Sequence, residues 1–291
     1  MMNISRKGSY LVLVAVVFSI EILFAQQTYD EGFADYLFKE GEYYRAISEY
    51  YQLIYQCTDS TKETEFFRNI GRCYYYGADY PGYITFFEKN QPYFEANPII
   101  RTEMDLYLGK SYYQLGNYQM ATSNLVWSDF GSDNLFFNET QFFLGIAYSR
   151  MFDWQKAVEK MKMVEEGSPY RAAAVNFSRS LQNSSKLPEK KPVMAGILSA
   201  IIPGSGYIYC NRIGTGISAL VINGLLIWTV SDAIKREQYG LATTAGFFGI
   251  GWYVGNIKGS VDAANGYNTR IRNEFIDTIL DEENFDEFKK N

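Results

Sequence analysis

Residues 108–121, LGKSYYQLGNYQMA, decide the reading of this chain: Leu108-Gly109, then Tyr112, Gly116, Tyr118 and Ala121. The spacing predicts a pair of helices, with Gly109 on the first and Ala121 on the second small enough to let the two backbones approach. The order returns as Leu144-Gly145, Tyr148, Trp154 and Ala157, with Pro169 at its end. It returns in part as Ile70-Gly71, Tyr74 and Tyr80, with Tyr83 at the place Ala holds elsewhere. The first copy keeps Gly41, Tyr43, Ala46 and Tyr50. Taking Ala34, Gly71, Gly109 and Gly145 as equivalent gives spacings of 37, 38 and 36 residues.

A helical-hairpin repeat of about 34 residues is the tetratricopeptide period, and the pattern over 26–183 resembles that family. The resemblance covers about half the chain. It implies an all-α array that binds a partner protein along a concave face. Ser60 with Glu63 and Asn138 with Gln141 read as capping boxes. Asn97-Pro98 and Ser168-Pro169 read as a cap followed by a first-turn proline. A helix over 169–182 then ends the stack. The run Phe66, Phe67, Tyr74, Tyr75, Tyr76, Tyr80, Tyr83, Phe86 and Phe87 holds more rings than one hairpin can bury. Tyr74, Tyr75, Tyr76 and Tyr80 are therefore candidate partner-binding residues, with Tyr75 and Tyr76 expected at the surface. Core packing is the competing reading of the same rings.

The last third changes character. A polar segment, 184–191 (SSKLPEKK), reads as a linker. Three uncharged segments follow, Pro192–Asn211, Ile213–Ser231 and Tyr239–Ile257. The latter two are long enough to cross most of a hydrocarbon layer of about 30 Å at about 1.5 Å per residue. Gly251, Gly255, Gly259 and Ala263 recur every four residues, as do Gly196, Ala200 and Gly204. Such smooth stripes bury little apolar area in water but allow close helix packing in lipid. A soluble domain with a buried hairpin is the alternative. The block Pro203-Gly204-Ser205-Gly206-Tyr207-x-Tyr209 is similar to the Pro-Gly-x-Gly-x-x-Tyr motif of small bacterial membrane domains with two transmembrane helices. That resemblance spans about 191–272 and implies membrane placement, not an activity. Pro203, Gly204, Gly206 and Tyr207 are the candidate turn residues, and Gly251, Gly255 and Gly259 the candidate helix-packing residues, with self-association of membrane helices as a further expectation. Asn223, in mid-segment, is expected to bond between helices. Residues 273–291 form an acidic tail that reads as a frayed amphipathic helix, with docking on a neighbouring element as the alternative.

At the other end, Arg6 and Lys7 precede an apolar stretch from Tyr10 to Ala25, interrupted only by Glu21. This is the layout of a signal peptide over 1–25, with an uncleaved anchor as the alternative. Charge does not fix the number of spans. Two spans put Lys235 and Arg236 inside, whereas three put Arg212, Lys258, Arg270 and Arg272 there.

The chain has no histidine. That removes histidine acid–base chemistry, Ser-His-Asp triads and histidine-ligated metals. No residue spacing asks for a catalytic pair, a metal or a cofactor. A net charge of −6 argues against nucleic acid. Cys57 and Cys73 fall on antiparallel helices, with Cys73 roughly 15 Å past their turn. That is beyond the reach of a disulfide, about 7 Å; with Cys210 they are expected as free thiols. The sequence thus predicts a non-enzymatic, membrane-anchored scaffold or adaptor of the bacterial cell envelope that binds a partner protein through its exported repeats, with the inner membrane and periplasmic side as its expected place. An accessory component of a transport or protein-insertion system is the alternative, and an enzyme built on a carboxylate or lysine cleft the third reading.

Overall fold

A computed structural model describes residues 30–127 and 135–283, and every regular element among them is a helix. The segment expected to be a signal peptide, 1–25, and the end of the acidic tail, 284–291, lie outside the described residues. Eight helices follow one another two by two along the chain: α1 (Glu31–Lys39) and α2 (Tyr43–Gln56), α3 (Ser60–Tyr76) and α4 (Tyr80–Glu95), α5 (Pro98–Gln114) and α6 (Tyr118–Trp127), and α7 (Phe137–Arg150) and α8 (Trp154–Lys162), of which the first, second and fourth pack as pairs. A single helix, α9 (Arg171–Leu181), follows and ends in the 3-10 turn Gln182–Lys186. Then come α10 (Pro192–Ile201), the short α11 (Ser205–Tyr209), α12 (Ile213–Lys235) and α13 (Tyr239–Glu282).

The pairing has a local cause. Each pair turns through one residue of left-handed backbone: Gly41 (φ 78°), Ala78 (φ 56°), Gly116 (φ 75°) and Phe152 (φ 61°). These positions are 37, 38 and 36 residues apart, the interval of the sequence pattern. In three of the turns the next amide closes back five residues: Glu42 N to Leu37 O (2.9 Å), Asp79 N to Tyr74 O (3.0 Å) and Asp153 N to Tyr148 O (3.1 Å). That closure satisfies helix-end carbonyls left open by the preceding helix. The same residue then starts the next helix. Asp79 accepts from Gly82 N at 3.0 Å, Asn117 from Met120 N at 3.2 Å and Asp153 from Lys156 N at 3.2 Å.

Three expected caps differ. Asp59, not Ser60, caps α3, accepting from Thr61 N at 2.8 Å, since its carboxylate sits one residue ahead of the hydroxyl. Asn138 lies inside α7 and holds the backbone of Glu165 instead, accepting from its amide at 2.7 Å. Ser168 folds a local turn, accepting from Tyr170 N at 3.2 Å, so α9 begins at Arg171 rather than at Pro169. Asn97 caps α5 as expected, accepting from Ile99 N and Ile100 N ahead of Pro98.

The chain divides into two compact units, the first running to Gly116 and regaining the end of α6, the second holding 117–123 and the helices from α7 onward. In the first, Ala34, Ala46, Ile70 and Tyr83 are fully buried and Gly71 is buried among them. Tyr83 takes the place of the missing alanine because Gly71 leaves room opposite: a methyl there would stand 3.4 Å from the Tyr83 ring. The phenol hydroxyl then donates to Met104 O at 2.6 Å, which removes the penalty of burying it. In the second unit the equivalent pair is Gly145 with Ala157, closed over by Met161.

Within the second unit α13 is one unbroken helix of 44 residues, about 66 Å at the α-helical rise. The expected boundary at 272 falls inside it. The segment read as a frayed tail is ordered to Glu282, with Ile276, Ile279 and Leu280 buried where α13 meets α7 and α9. Asp277 pairs there with the fully buried guanidinium of Arg150 at 2.5 Å, and Phe275 packs edge-on to Trp154. The segment read as a linker is also held. Asn268 clasps the Lys190 backbone twice, accepting from its amide at 2.7 Å and donating to its carbonyl at 2.8 Å. Arg272 makes a two-pronged pair with Glu189 at 2.6 and 2.8 Å.

Candidate functional site

The candidate aromatic surface is only partly a surface. Tyr75 is buried, stacked on Tyr107 with ring centroids 4.5 Å apart. The expectation that it is exposed therefore fails, because Tyr107 reaches across from α5 to cover it. Tyr74 and Tyr80 are half-buried. Tyr76 is 46% exposed, although its hydroxyl shares a hydrogen bond with that of Tyr107 at 3.1 Å. Burial, and then the Asp79 carboxylate, raise the Tyr74 phenol above its ordinary value, so it stays a neutral donor.

The fuller ring surface lies on α2. Tyr44, Tyr51 and Tyr55 are all exposed, the last 88%. They stand at i, i+7 and i+11, one face of a helix whose opposite face buries Ala46, Ile47 and Tyr50. Sequence reading missed them because Tyr50 carried the repeat pattern and its neighbours were not sorted by face. Tyr51 interacts electrostatically with Tyr74, so the stripe adjoins one of the expected residues.

Cys57, Cys73 and Cys210 are free thiols. Burial pushes the Cys73 thiol up to about 12, which keeps it protonated and unreactive. Among the described residues no three Cys, Asp or Glu side chains converge as metal ligands.

The second candidate feature, the glycine-rich turn, is a knot of close backbone contacts. Gly204 has φ 91°, a conformation that side chains oppose, and lets α11 start directly after α10. A methyl at Gly204 would overlap Gly216 O, one at Gly206 would overlap Ala195 O, and one at Gly259 would overlap the Tyr207 hydroxyl. Hydrogen bonds hold the knot: Gly206 N donates to Ser199 Oγ at 3.1 Å, and Ser260 Oγ donates to Ala195 O at 3.1 Å. The Tyr253 hydroxyl donates to Ala200 O. Gly204 and Gly206 of the turn thus meet α12 and α10, and Tyr207 meets Gly259 of the packing stripe.

Gly251 and Gly255 do something else. No heavy atom lies within 4 Å of where their Cβ would be. They floor an open groove of about 870 Å³ between α12 and α13. Asn223, expected to bridge helices, donates instead to Ala219 O of its own helix at 2.7 Å.

Around this knot the usual distribution of residues is reversed. The buried positions include Ala195, Gly196, Ser199, Gly206, Asn223, Asn256, Ser260, Ala263 and Ala264. The exposed ones include Ile201, Leu225, Ile227, Trp228, Phe247, Phe248, Ile250 and Val254, each more than half exposed. Among the described residues one helix, Ile213–Lys235, is long and apolar enough to cross a membrane. Tyr239–Ile257, expected from its length and lack of charge to cross as well, is diluted by glycine, threonine and Asn256.

No protein-family model matches the chain, and no curated protein matches it either.

Proposed function

We propose that this chain is a non-enzymatic scaffold of the bacterial cell envelope, anchored by a hairpin of α12 and the first half of α13, with its tetratricopeptide-like hairpins held outside to capture a partner protein. The observation that carries the reading is the sheath of large apolar side chains around a small, partly polar interior. In water that arrangement exposes what the hydrophobic effect would bury. In lipid it is the expected order. A two-span hairpin leaves Lys235 and Arg236 at its tip, on the cytoplasmic side favoured by positive charge. It leaves the rest of α13 on the same side as the repeats. About 30 Å of that helix suffices for the hydrocarbon layer, so roughly half its length is free to reach α7 and α9.

The exposed rings Tyr44, Tyr51, Tyr55 and Tyr76 are the proposed partner-facing surface. Rigid aromatic side chains supply contact area at low entropic cost. The test is fractionation followed by capture. The full-length chain should sediment with membranes, leave them only with detergent, and retain a crosslinked partner protein that the triple variant Tyr44→Ser, Tyr51→Ser, Tyr55→Ser no longer retains. A chain found in the high-speed supernatant without detergent overturns the anchor. Unchanged capture by the triple variant overturns the assigned surface.

A further inference from the structure

We infer that α10 and α11 form a re-entrant wedge. They enter the membrane from the side on which α9 lies, turn at Pro203–Gly204 and leave by the same side. The anchor is thereby broader in that leaflet and favours a membrane bulging toward it. The inference rests on the membrane reading above, and adds to it a topology and a preference for membrane shape.

Contacts trace the path of the chain. α10 runs antiparallel to α13: the Lys190 backbone meets Asn268, Ala195 O accepts from Ser260 Oγ, and Ala200 O accepts from the Tyr253 hydroxyl. α11 then runs back. Gly206 N donates to Ser199 Oγ at 3.1 Å, Cys210 lies against Ser260, and the Tyr209 hydroxyl accepts from Lys191 N at 3.1 Å. The start of α10 and the end of α11 are thus tied together. The depth follows from α13. Tyr253, beside the end of α10, stands about 21 Å along α13 from Tyr239, where that helix begins and the hairpin turns. A hydrocarbon layer is about 30 Å thick, so α10 and α11 stop well short of its far side.

Composition and hydrogen bonding fit such a path. No residue from Pro192 to Asn211 is charged, and Val193 and Ile201 are each more than 70% exposed. Cation and rings gather at the mouth instead. Lys190 Nζ lies 4.9 Å from the Tyr209 ring centre and 5.4 Å from that of Tyr267, and such side chains suit the membrane–water boundary. Irregular backbone is tolerated in hydrocarbon only where protein satisfies it. At this turn Ile202 N donates to Leu198 O at 2.9 Å and Ser205 N to Ile202 O at 3.0 Å, while Pro203 has no donor to satisfy. Four helices thus share one leaflet, and α12 and α13 alone cross the other. Volume added to one leaflet is relieved by curvature toward it, and helices held in a single leaflet bind in a curvature-sensitive way.

Thiol labelling tests the path. In a Cys57→Ser background the two remaining thiols, Cys73 and Cys210, are buried. Lys191→Cys, Arg212→Cys and Lys235→Cys, each at an exposed position, are introduced singly into the full-length chain. Spheroplasts are treated with a membrane-impermeant maleimide with and without detergent. Lys191→Cys and Arg212→Cys should behave alike, and Lys235→Cys oppositely. Opposite behaviour of Lys191→Cys and Arg212→Cys means that 192–211 crosses, which overturns the wedge and leaves the anchor standing. Like behaviour of all three overturns the spanning hairpin and the wedge with it. Curvature is read on tubes drawn from giant phosphatidylethanolamine–phosphatidylglycerol vesicles that hold the natural chain. Dye coupled from outside at Cys57 reports only molecules whose repeats face outward. These should be enriched in the tube about twofold or more over the parent vesicle. The exposed-face variant Val193→Ser/Ile197→Ser/Ile201→Ser should keep the labelling pattern and lose the enrichment. An even distribution of the natural chain overturns the preference for curvature. Enrichment unchanged in the triple variant overturns α10 as its source.

Discussion

The hairpin pairs and the glycine-rich knot both depend on glycine, and they use it in opposite ways. At Gly41 and Gly116 the backbone is left-handed and the space where a side chain would sit is empty. There glycine supplies a conformation. At Gly206 and Gly259 the backbone is helical and the space is occupied by Ala195 O and by the Tyr207 hydroxyl. There glycine supplies volume. The cores differ in the same sense. Tyr50, Tyr83 and Phe94 are fully buried among the pairs, whereas Ala195, Ala264 and Ser260 are fully buried around the knot. A core of rings excludes water by area; a core of methyls and hydroxyls gains from close backbone approach, which matters most where the surroundings are already apolar.

The hardest test of this contrast is Gly206→Leu. The added side chain meets backbone on α10, which cannot swing away as a side-chain tip can. The expected loss is at least ~4 kcal/mol, enough to unfold a domain of ordinary stability. The readout is thermal unfolding of the detergent-solubilised chain together with protease resistance of 192–272. Gly251→Leu, on a different helix but identical in chemistry, should shift stability by no more than about 0.5–1 kcal/mol, and toward stability, since leucine is the better helix former. Equal losses at the two positions would end the distinction between filled and empty glycine sites.

The repeat interval was legible because all four copies keep a small residue on the first helix of the pair, and three of them, with Ala46, Ala121 and Ala157, keep one on the second. The positions Ala34, Gly71, Gly109 and Gly145 are all buried. The knot was legible in its residues but not in its partners. Ser199 and Ser260 carry no pattern, yet they supply the hydrogen bonds that fix it. The domain boundaries were the least legible part. Composition changes at 184 and again at 273, but a helix can change its surroundings without changing its backbone. Asn268 and Asp277 lie on α13 in a stretch that reads as polar surface, and each meets its partner, Lys190 or Arg150, only through tertiary packing. No local signal announces a pair separated by 78 or 127 residues.

That long helix gives a second, smaller test. Asp277→Asn removes the charge facing the buried Arg150 guanidinium. Losing a charge-assisted bond to a buried guanidinium should cost about 1.5–3 kcal/mol. The loss should be local: the end of α13 should become susceptible to protease beyond 272 while the knot stays protected. Arg150→Met with Asp277→Leu, which removes both charges, should recover most of the stability. If the double replacement is as unstable as Asp277→Asn, the pair is not what docks α13 on α7 and α9.

The smallest effect returns to the turns. Ala78 and Phe152 occupy the left-handed position that Gly41 and Gly116 occupy in the other pairs. An alanine there is strained by roughly 1–2 kcal/mol, and glycine relieves the strain while giving the unfolded chain more freedom, a cost of about 0.4–1 kcal/mol. Ala78→Gly should therefore stabilise the chain by about 0.5–1 kcal/mol, seen as a rise in the urea midpoint with an unchanged slope. Phe152→Gly relieves the same strain but loses a ring that packs on Trp154 at 5.8 Å and lies under the Arg272 guanidinium at 5.1 Å. Its sign should reverse. Opposite signs at two equivalent turns would show that one repeated backbone is kept at one site by conformation and at the other by contacts with α13; matching signs would mean that the Phe152 ring contributes nothing to holding that helix.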